Sequence, residues 1–218
     1  MNSLLKSGIL AWRSETSRSI VNNKDLLSMV RLMEEEVPRN KLYSINFTEN
    51  KKDERFQADI AAFDETGKFL NATAKKSADK RLWLSRKQAE VLKQQIETDY
   101  EQATSFNMAQ KNLSAIGLVS GGTTLQAVHN DDHTPAIPKF WRGQGVTAES
   151  GSILYGLKDD KENRCKIHFA RNNEREHLKL VNVYSGMAVF YAGWVLHAGA
   201  NHGGRNASTR LYVDLTVK

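Results

Sequence analysis

A chain of 218 residues, 40% hydrophobic and 26% charged, has the composition of a globular protein and the length to bury one sizeable core, which excludes a disordered chain. Its one cysteine, Cys165, excludes an internal disulfide and fits cytoplasm or another reducing intracellular compartment; an alternating neighbourhood makes it a packing residue rather than a reactive thiol. The formal charge of +6 favours anionic partners, yet no zinc-finger spacing or aromatic RNA-binding motif accompanies it, so nucleic acid is a weakly supported partner beside a small-molecule or other macromolecular substrate.

No run approaches the ~20 apolar residues that cross a bilayer, so no membrane span is expected. Residues 1–19 make a poor secretion signal, while Lys6, Arg13 and Arg18 against Glu15 alone leave organelle targeting open. Residues 24–37 place Leu26, Leu27, Val30, Leu32 and Met33 on one helical stripe, with Pro38 as a stop. Strands are expected at 42–47 and 56–63, with a turn at Asp64–Gly67 and a returning strand through 68–74. The charge cluster Lys51–Arg55 reads as a solvated turn. Ser85 caps a long helix expected to reach about Lys111, with Ala89, Leu92, Ile96 and Tyr100 on its apolar face; Met108 on that helix reads as a packing group.

The second half changes character. Strand-like runs occur at 113–119, 124–129, 152–157, 164–170, 178–183, 187–191, 193–198 and 209–217, separated by glycines and short polar segments. Parallel sheets need long crossovers, which are absent, so antiparallel strands closing into a jelly roll are expected. The division is one domain over 1–218, with a helix-containing support region at 1–112 and a β core with the site at 113–218.

Within that core, Leu125-Gln-Ala-Val-His-Asn-Asp131 puts His129 and Asp131 two residues apart, on one face of an extended strand. An imidazole nitrogen and a carboxylate oxygen can then converge on one ion. His197, in Gly193-Trp-Val-Leu-His-Ala-Gly199, offers a third ligand. Two histidines and one carboxylate occupy one face of an octahedral metal and leave positions for a cosubstrate and oxygen, the pattern of non-haem Fe(II) oxygenases. Asp132 is out of phase with His129 and reads as an orienting or turn residue; His133 reads as a loop hydrogen-bonding group, and Pro135 and Pro138 as restraints on the segment that follows.

Arg210, Tyr212, Asp214 and Thr216 share one strand phase, and Leu211, Val213 and Leu215 the other. A guanidinium near a strand start suits the distal carboxylate of 2-oxoglutarate, so Arg210 is the expected anchor, with Arg205 in a flexible turn as competitor. Gln126, Tyr155 and Thr216 are further candidates for cosubstrate contact. Trp141 and Trp194 read as packing residues and Asn201 as a turn residue.

These segments, with Gly186-Met-Ala-Val-Phe190 and Ser208-Thr-Arg210, resemble the iron(II)- and 2-oxoglutarate-dependent dioxygenases, especially the phytanoyl-CoA hydroxylase-like branch, from about Leu113 onward. The resemblance implies a double-stranded β-helix, mainly β with flanking helices. It implies His129, Asp131 and His197 as iron ligands, Arg210 as the 2-oxoglutarate anchor, and hydroxylation or oxidative demethylation as the activity. A metal-dependent cupin-like enzyme without 2-oxoglutarate, or a non-catalytic jelly-roll binding protein, would use the same fold without the Arg210 role.

Overall fold

The structure is a computed structural model that describes residues 8–44, 55–71, 79–104, 111–120, 122, 124–131, 151–159, 165–170, 174–200 and 209–217; for 39, 43, 44, 111, 112, 216 and 217 only the backbone is described. Two antiparallel sheets carry the fold. The strands are β1 (Ile9–Arg13), β2 (Tyr43–Ser44), β3 (Phe56–Ala62), β4 (Lys111–Val119), β5 (Gly151–Gly156), β6 (Cys165–Ala170), β7 (Leu178–Val183), β8 (Met187–Ala192), β9 (His197–Gly199) and β10 (Arg210–Val217). The larger sheet runs β1-β8-β5-β10-β4-β3-β2 and the smaller β7-β6-β9. Mainly antiparallel strands with a few flanking helices make the expected double-stranded β-helix. Strands β1, β2 and β3 belong to the larger sheet, so that sheet crosses the division expected near residue 112.

Strand parity separates the two faces of the larger sheet. Ile153, Tyr155, Phe190, Leu211 and Val213 point to one side, under helices α1 (Glu15–Val21) and α3 (Arg86–Thr104). There Tyr100 of α3 packs edge-on against Phe190, 5.5 Å between ring centres. Ser152, Leu154, Tyr191, Arg210 and Tyr212 point to the other side, towards the smaller sheet. Asp99 of α3, fully buried, accepts from Trp12 Nε1 (2.9 Å), Tyr155 Oη (3.0 Å) and the Ser14 hydroxyl that caps α1. One carboxylate thus ties β1, α1, α3 and β5 together; a buried charge is tolerated only with such partners.

Several expectations hold, and several need correction. The 24–37 helix is α2 (Lys24–Arg31) followed by a π-helical turn over Leu32–Glu36, ending before Pro38. The Asp64–Gly67 turn forms, with Gly67 at φ 81°, a backbone state that favours glycine. The strand expected over 68–74 is reduced to one bridge, Phe63 to Phe69, because Phe69 settles between Phe63 and Trp83 instead of extending a ladder; residues 72–78 lie outside the described residues. Ser85 does cap α3, but the helix ends at Thr104 and Lys111 already opens β4. Thr104 turns its hydroxyl back onto the Tyr100 carbonyl (2.7 Å), a bond typical of a helix end under competition. Met108 lies outside the described residues.

Only the end of the 193–198 run is strand: His197 and Ala198 open β9, and 193–196 form a turn. Val195 N returns to Ala192 O (2.9 Å), closing a turn that carries the chain from β8 in one sheet to β9 in the other. Its apolar character comes from burial of the turn itself, since Trp194 and Val195 are buried. Residues 124–129 form no strand and bridge only at His129. Cys165 is buried in the core of β6, and burial raises its thiol pKa, which fits packing rather than reactivity. No helix among the described residues is long and apolar enough to cross a membrane.

Candidate active site

Between the two sheets lies a cavity of about 170 Å³. The smaller sheet contributes Ile167 and His197, the segment beside it Gln126, His129 and Asp131, and the larger sheet Leu154, Tyr191, Arg210 and Tyr212. The ligand atoms of His129, Asp131 and His197 all lie within 4.8 Å of one another, and His197 Nε2 is 3.6 Å from Asp131 Oδ1.

Backbone pairing creates this convergence. His129 N donates to His197 O (3.0 Å) and His197 N to His129 O (2.8 Å), so the two imidazoles leave one antiparallel bridge side by side, ring centres 4.4 Å apart. Asp131 N bonds Gly193 O (3.0 Å), which carries the carboxylate to the same face as His129, as the two-residue spacing requires. The tautomers follow from local acceptors. His129 Nδ1 meets Ala127 O (2.8 Å) and His197 Nδ1 meets Val195 O (3.0 Å). A carbonyl can only accept, so both Nδ1 atoms carry the proton and Nε2 is the nitrogen with a lone pair for a metal.

Burial pushes the His197 pKa below its usual value; Asp131 opposes this shift, and His129 and Arg210 add to it. A histidine held neutral is a ready ligand. Ser152 donates to Asp131 Oδ2 (3.1 Å) and sits 3.0 Å from Tyr212 Oη, so the carboxylate is oriented from behind. Tyr191 and Tyr212 have pKa values raised by burial first and by Asp131 second, and both remain neutral phenols. Arg210 is buried, and its Nε and Nη1 atoms have no hydrogen-bond partner among the described residues. Buried donors without partners are rare and point to a ligand with acceptor atoms.

Gln126 lines the cavity, but its Oε1 accepts from Gly199 N (2.8 Å), so it braces the His197 strand. Tyr155 does not reach the site. Leu154 takes the cavity side of β5, and parity sends Tyr155 to the helix side, where it bonds Asp99. Thr216 lies in β10 with its side chain undescribed, and Asp132, His133, Pro135, Pro138, Trp141, Asn201 and Arg205 lie outside the described residues. Trp194 is buried, as a packing residue would be. Ser152, Tyr191 and Tyr212 were not read from the sequence as site residues. Tyr212 alone carried a signal, its shared phase with Arg210.

The largest departure is Arg55. Expected in a solvated turn, it is fully buried, and Nη2 donates to Thr124 O (2.6 Å), Gly199 O (3.0 Å) and Ala200 O (3.0 Å). Residues 51–54 lie outside the described residues.

No protein-family model matches the chain, and no curated protein sequence matches it. Solved structures do match over the whole chain. AviO1 from Streptomyces viridochromogenes is 12% identical, with a TM-score of 0.55, covering 100% of this chain and 92% of its own. The epimerase SnoN from nogalamycin biosynthesis, in complex with Fe3+, alpha ketoglutarate and nogalamycin RO, is 10% identical with a TM-score of 0.59, covering 98% and 80%. An oxidoreductase of the 2OG-Fe(II) oxygenase family from Burkholderia pseudomallei is 7% identical with a TM-score of 0.57, covering 99% and 88%. At these identities the likeness is one of fold.

Proposed function

We propose that the chain is a non-haem Fe(II)- and 2-oxoglutarate-dependent dioxygenase, acting as a single oxygenase domain that hydroxylates or oxidatively demethylates its substrate. One observation carries the reading. Three ligand atoms within 4.8 Å face a cavity that also holds Arg210, whose buried Nε and Nη1 donors have no partner among the described residues. Two nitrogens and one carboxylate oxygen fit a redox-active divalent metal that keeps open positions, and a guanidinium fits a carboxylate. His129, Asp131 and His197 would hold the iron, and Arg210 the distal carboxylate of 2-oxoglutarate. When bound, this pair supplies oxidising power from molecular oxygen, with 2-oxoglutarate leaving as succinate and carbon dioxide.

The chain's own residues supply position and a controlled medium. The Ala127 and Val195 carbonyls fix the histidine tautomers. Ser152 holds one oxygen of Asp131 and leaves Oδ1 beside His197. Leu154, Ile167 and Val119 give the cavity apolar walls, and the neutral phenols of Tyr191 and Tyr212 offer hydrogen bonds without adding charge next to Asp131. The SnoN structure, which holds nogalamycin RO, supports a small-molecule substrate, and the charge of +6 supports an anionic one. The motif segments support the phytanoyl-CoA hydroxylase-like branch, and the single cysteine supports a reducing compartment.

The test is anaerobic titration of metal-free protein with Fe(II), then with 2-oxoglutarate, followed by the visible iron-to-cosubstrate charge-transfer band. A saturable band is expected. Iron binding without the band would replace this reading with a cupin-like metalloenzyme, and no iron binding would leave a binding jelly roll.

A further inference from the structure

Arg55 lies outside the cavity lining, yet one of its guanidinium nitrogens, Nη2, gathers carbonyls from two distant parts of the chain. Thr124 begins the segment that ends in His129 and Asp131. Gly199 closes the strand that starts at His197, and Ala200 follows it. Arg55 itself stands at the entry to β3, where Phe56 N is held by Ser120 Oγ (2.9 Å) and Gln57 pairs with Val119. Val119 pairs in turn with Arg210. A single side chain therefore spans from the sheet that carries Arg210 to the edge that carries the three proposed ligands.

Gly199 shows how closely this joint is fitted. A Cβ there would stand 1.9 Å from Arg55 Nη1 and 2.6 Å from Gln126 Oε1. Atoms cannot approach to such distances, so any side chain at 199 expels one of the two braces. Gln126 bonds Gly199 N with its side chain, and its own amide bonds Gly199 O (3.0 Å). Arg55, Gln126 and Gly199 together fix the two ligand-bearing segments just beyond the His129–His197 bridge. Among the described residues four backbone hydrogen bonds join the two segments, the two of that bridge with Gln126 N to Gly199 O and Asp131 N to Gly193 O, a short pairing that gains from side-chain braces.

We propose that Arg55 is a positioning residue that locks the register of the His129 segment against the His197 strand and so presets the metal-ligand geometry. This rests on the metal-site reading above. All three carbonyls meet one guanidinium nitrogen, Nη2, so a lysine ammonium, with its donors on one atom but no planar fork to aim them, can restore only part of the contact.

The experiment compares wild type with Arg55→Met, Arg55→Lys and Gly199→Ala, with Leu92→Ala in α3 as a control destabilised away from the site. Fe(II) affinity is measured anaerobically by calorimetry, and amide hydrogen exchange at His129 and His197 is followed in metal-free protein. Arg55→Met is expected to lose about tenfold to a hundredfold in Fe(II) affinity, as other groups that orient metal ligands do. Arg55→Lys should recover part of it, and exchange at both histidine amides should quicken in Arg55→Met. Leu92→Ala should keep wild-type affinity despite a lower melting temperature. If Arg55→Met fails to fold, Gly199→Ala carries the test, with the same loss expected. Wild-type affinity in the folded arginine variant or in Gly199→Ala, or an equal loss in Leu92→Ala, would overturn the proposal. If wild type itself binds no Fe(II), the oxygenase reading fails, and the metal-free exchange still decides the Arg55 role: unchanged protection in Arg55→Met refutes it.

Discussion

The two halves of the site are built in opposite ways. Arg210 opens an eight-residue strand paired with β4 on one side, with a register shift between Asp214 and Leu215, and with β5 over residues 210–215 on the other, in the middle of the larger sheet. His129, Asp131 and His197 come from a three-residue strand, one bridge and a turn. The arginine is placed by ladders on both sides of its strand, and its position is a by-product of fold stability. The ligand set is placed by individual bonds, from Ser152, Gln126 and the carbonyls of Ala127 and Val195, each of which can be lost without unfolding the sheet. The metal half should accordingly be the part that variants disturb, and the anchor half the part that survives.

The sharpest break is Asp131→Ala. Its side chain keeps 31% of its surface exposed, so the fold should lose only about 1 kcal/mol, roughly one hydrogen bond. Fe(II) affinity should fall by more than about a hundredfold, beyond the loss typical of an orienting neighbour. Calorimetric titration beside thermal melting reads both effects, and near-normal Fe(II) binding would remove Asp131 from the ligand set.

Arg210→Met comes next and separates the halves. Fe(II) binding should be retained. Affinity for 2-oxoglutarate should fall by about 2–4 kcal/mol, the typical range for truncating one partner of a buried charge pair. The melting temperature should hold or rise, because methionine fills the stem volume without two buried donors that lack partners among the described residues. Unchanged 2-oxoglutarate affinity would move the anchor elsewhere.

What the sequence revealed follows the same division. The two-residue spacing of His129 and Asp131 and the phase of β10 are local patterns, and both held: Leu211, Val213 and Leu215 are buried, and Arg210 and Tyr212 face the cavity. Tyr155 was misplaced because every residue of β5 is buried, on both faces, so no polar alternation marks its parity. The β8-to-β9 turn looked like strand because it is buried as deeply as one. Arg55 was hidden for a different reason. Its neighbours Lys51, Lys52, Asp53 and Glu54 spell a solvated turn, while its acceptors lie 69 to 145 residues away. Burial determined by distant backbone leaves no mark on a local window.

Tyr155→Phe sharpens that correction. It removes one bond to the buried Asp99 carboxylate and should cost about 1–2 kcal/mol in stability while leaving 2-oxoglutarate affinity intact. Denaturant melts paired with the charge-transfer titration check it; a weakened cosubstrate with unaltered stability would return Tyr155 to the site.

The smallest effect is expected from acid. Burial lowers the folded-state pKa of His197 below its ordinary 6.5. Between that lowered value and 6.5 the unfolded chain binds a proton that the folded chain refuses, so the metal-free protein should lose stability as pH falls through 6.5 and stop losing it below the folded value. His168, on the outer face of β6, is shifted in the same direction by burial alone and is more exposed, so it should contribute less. Denaturant unfolding at pH 7.5 and 5.5 should therefore show a flatter response in His197→Gln than in His168→Gln. The reverse order would mean that the metal-face histidine is solvated in the metal-free protein, and that the ligand half of the site is assembled only when the metal arrives.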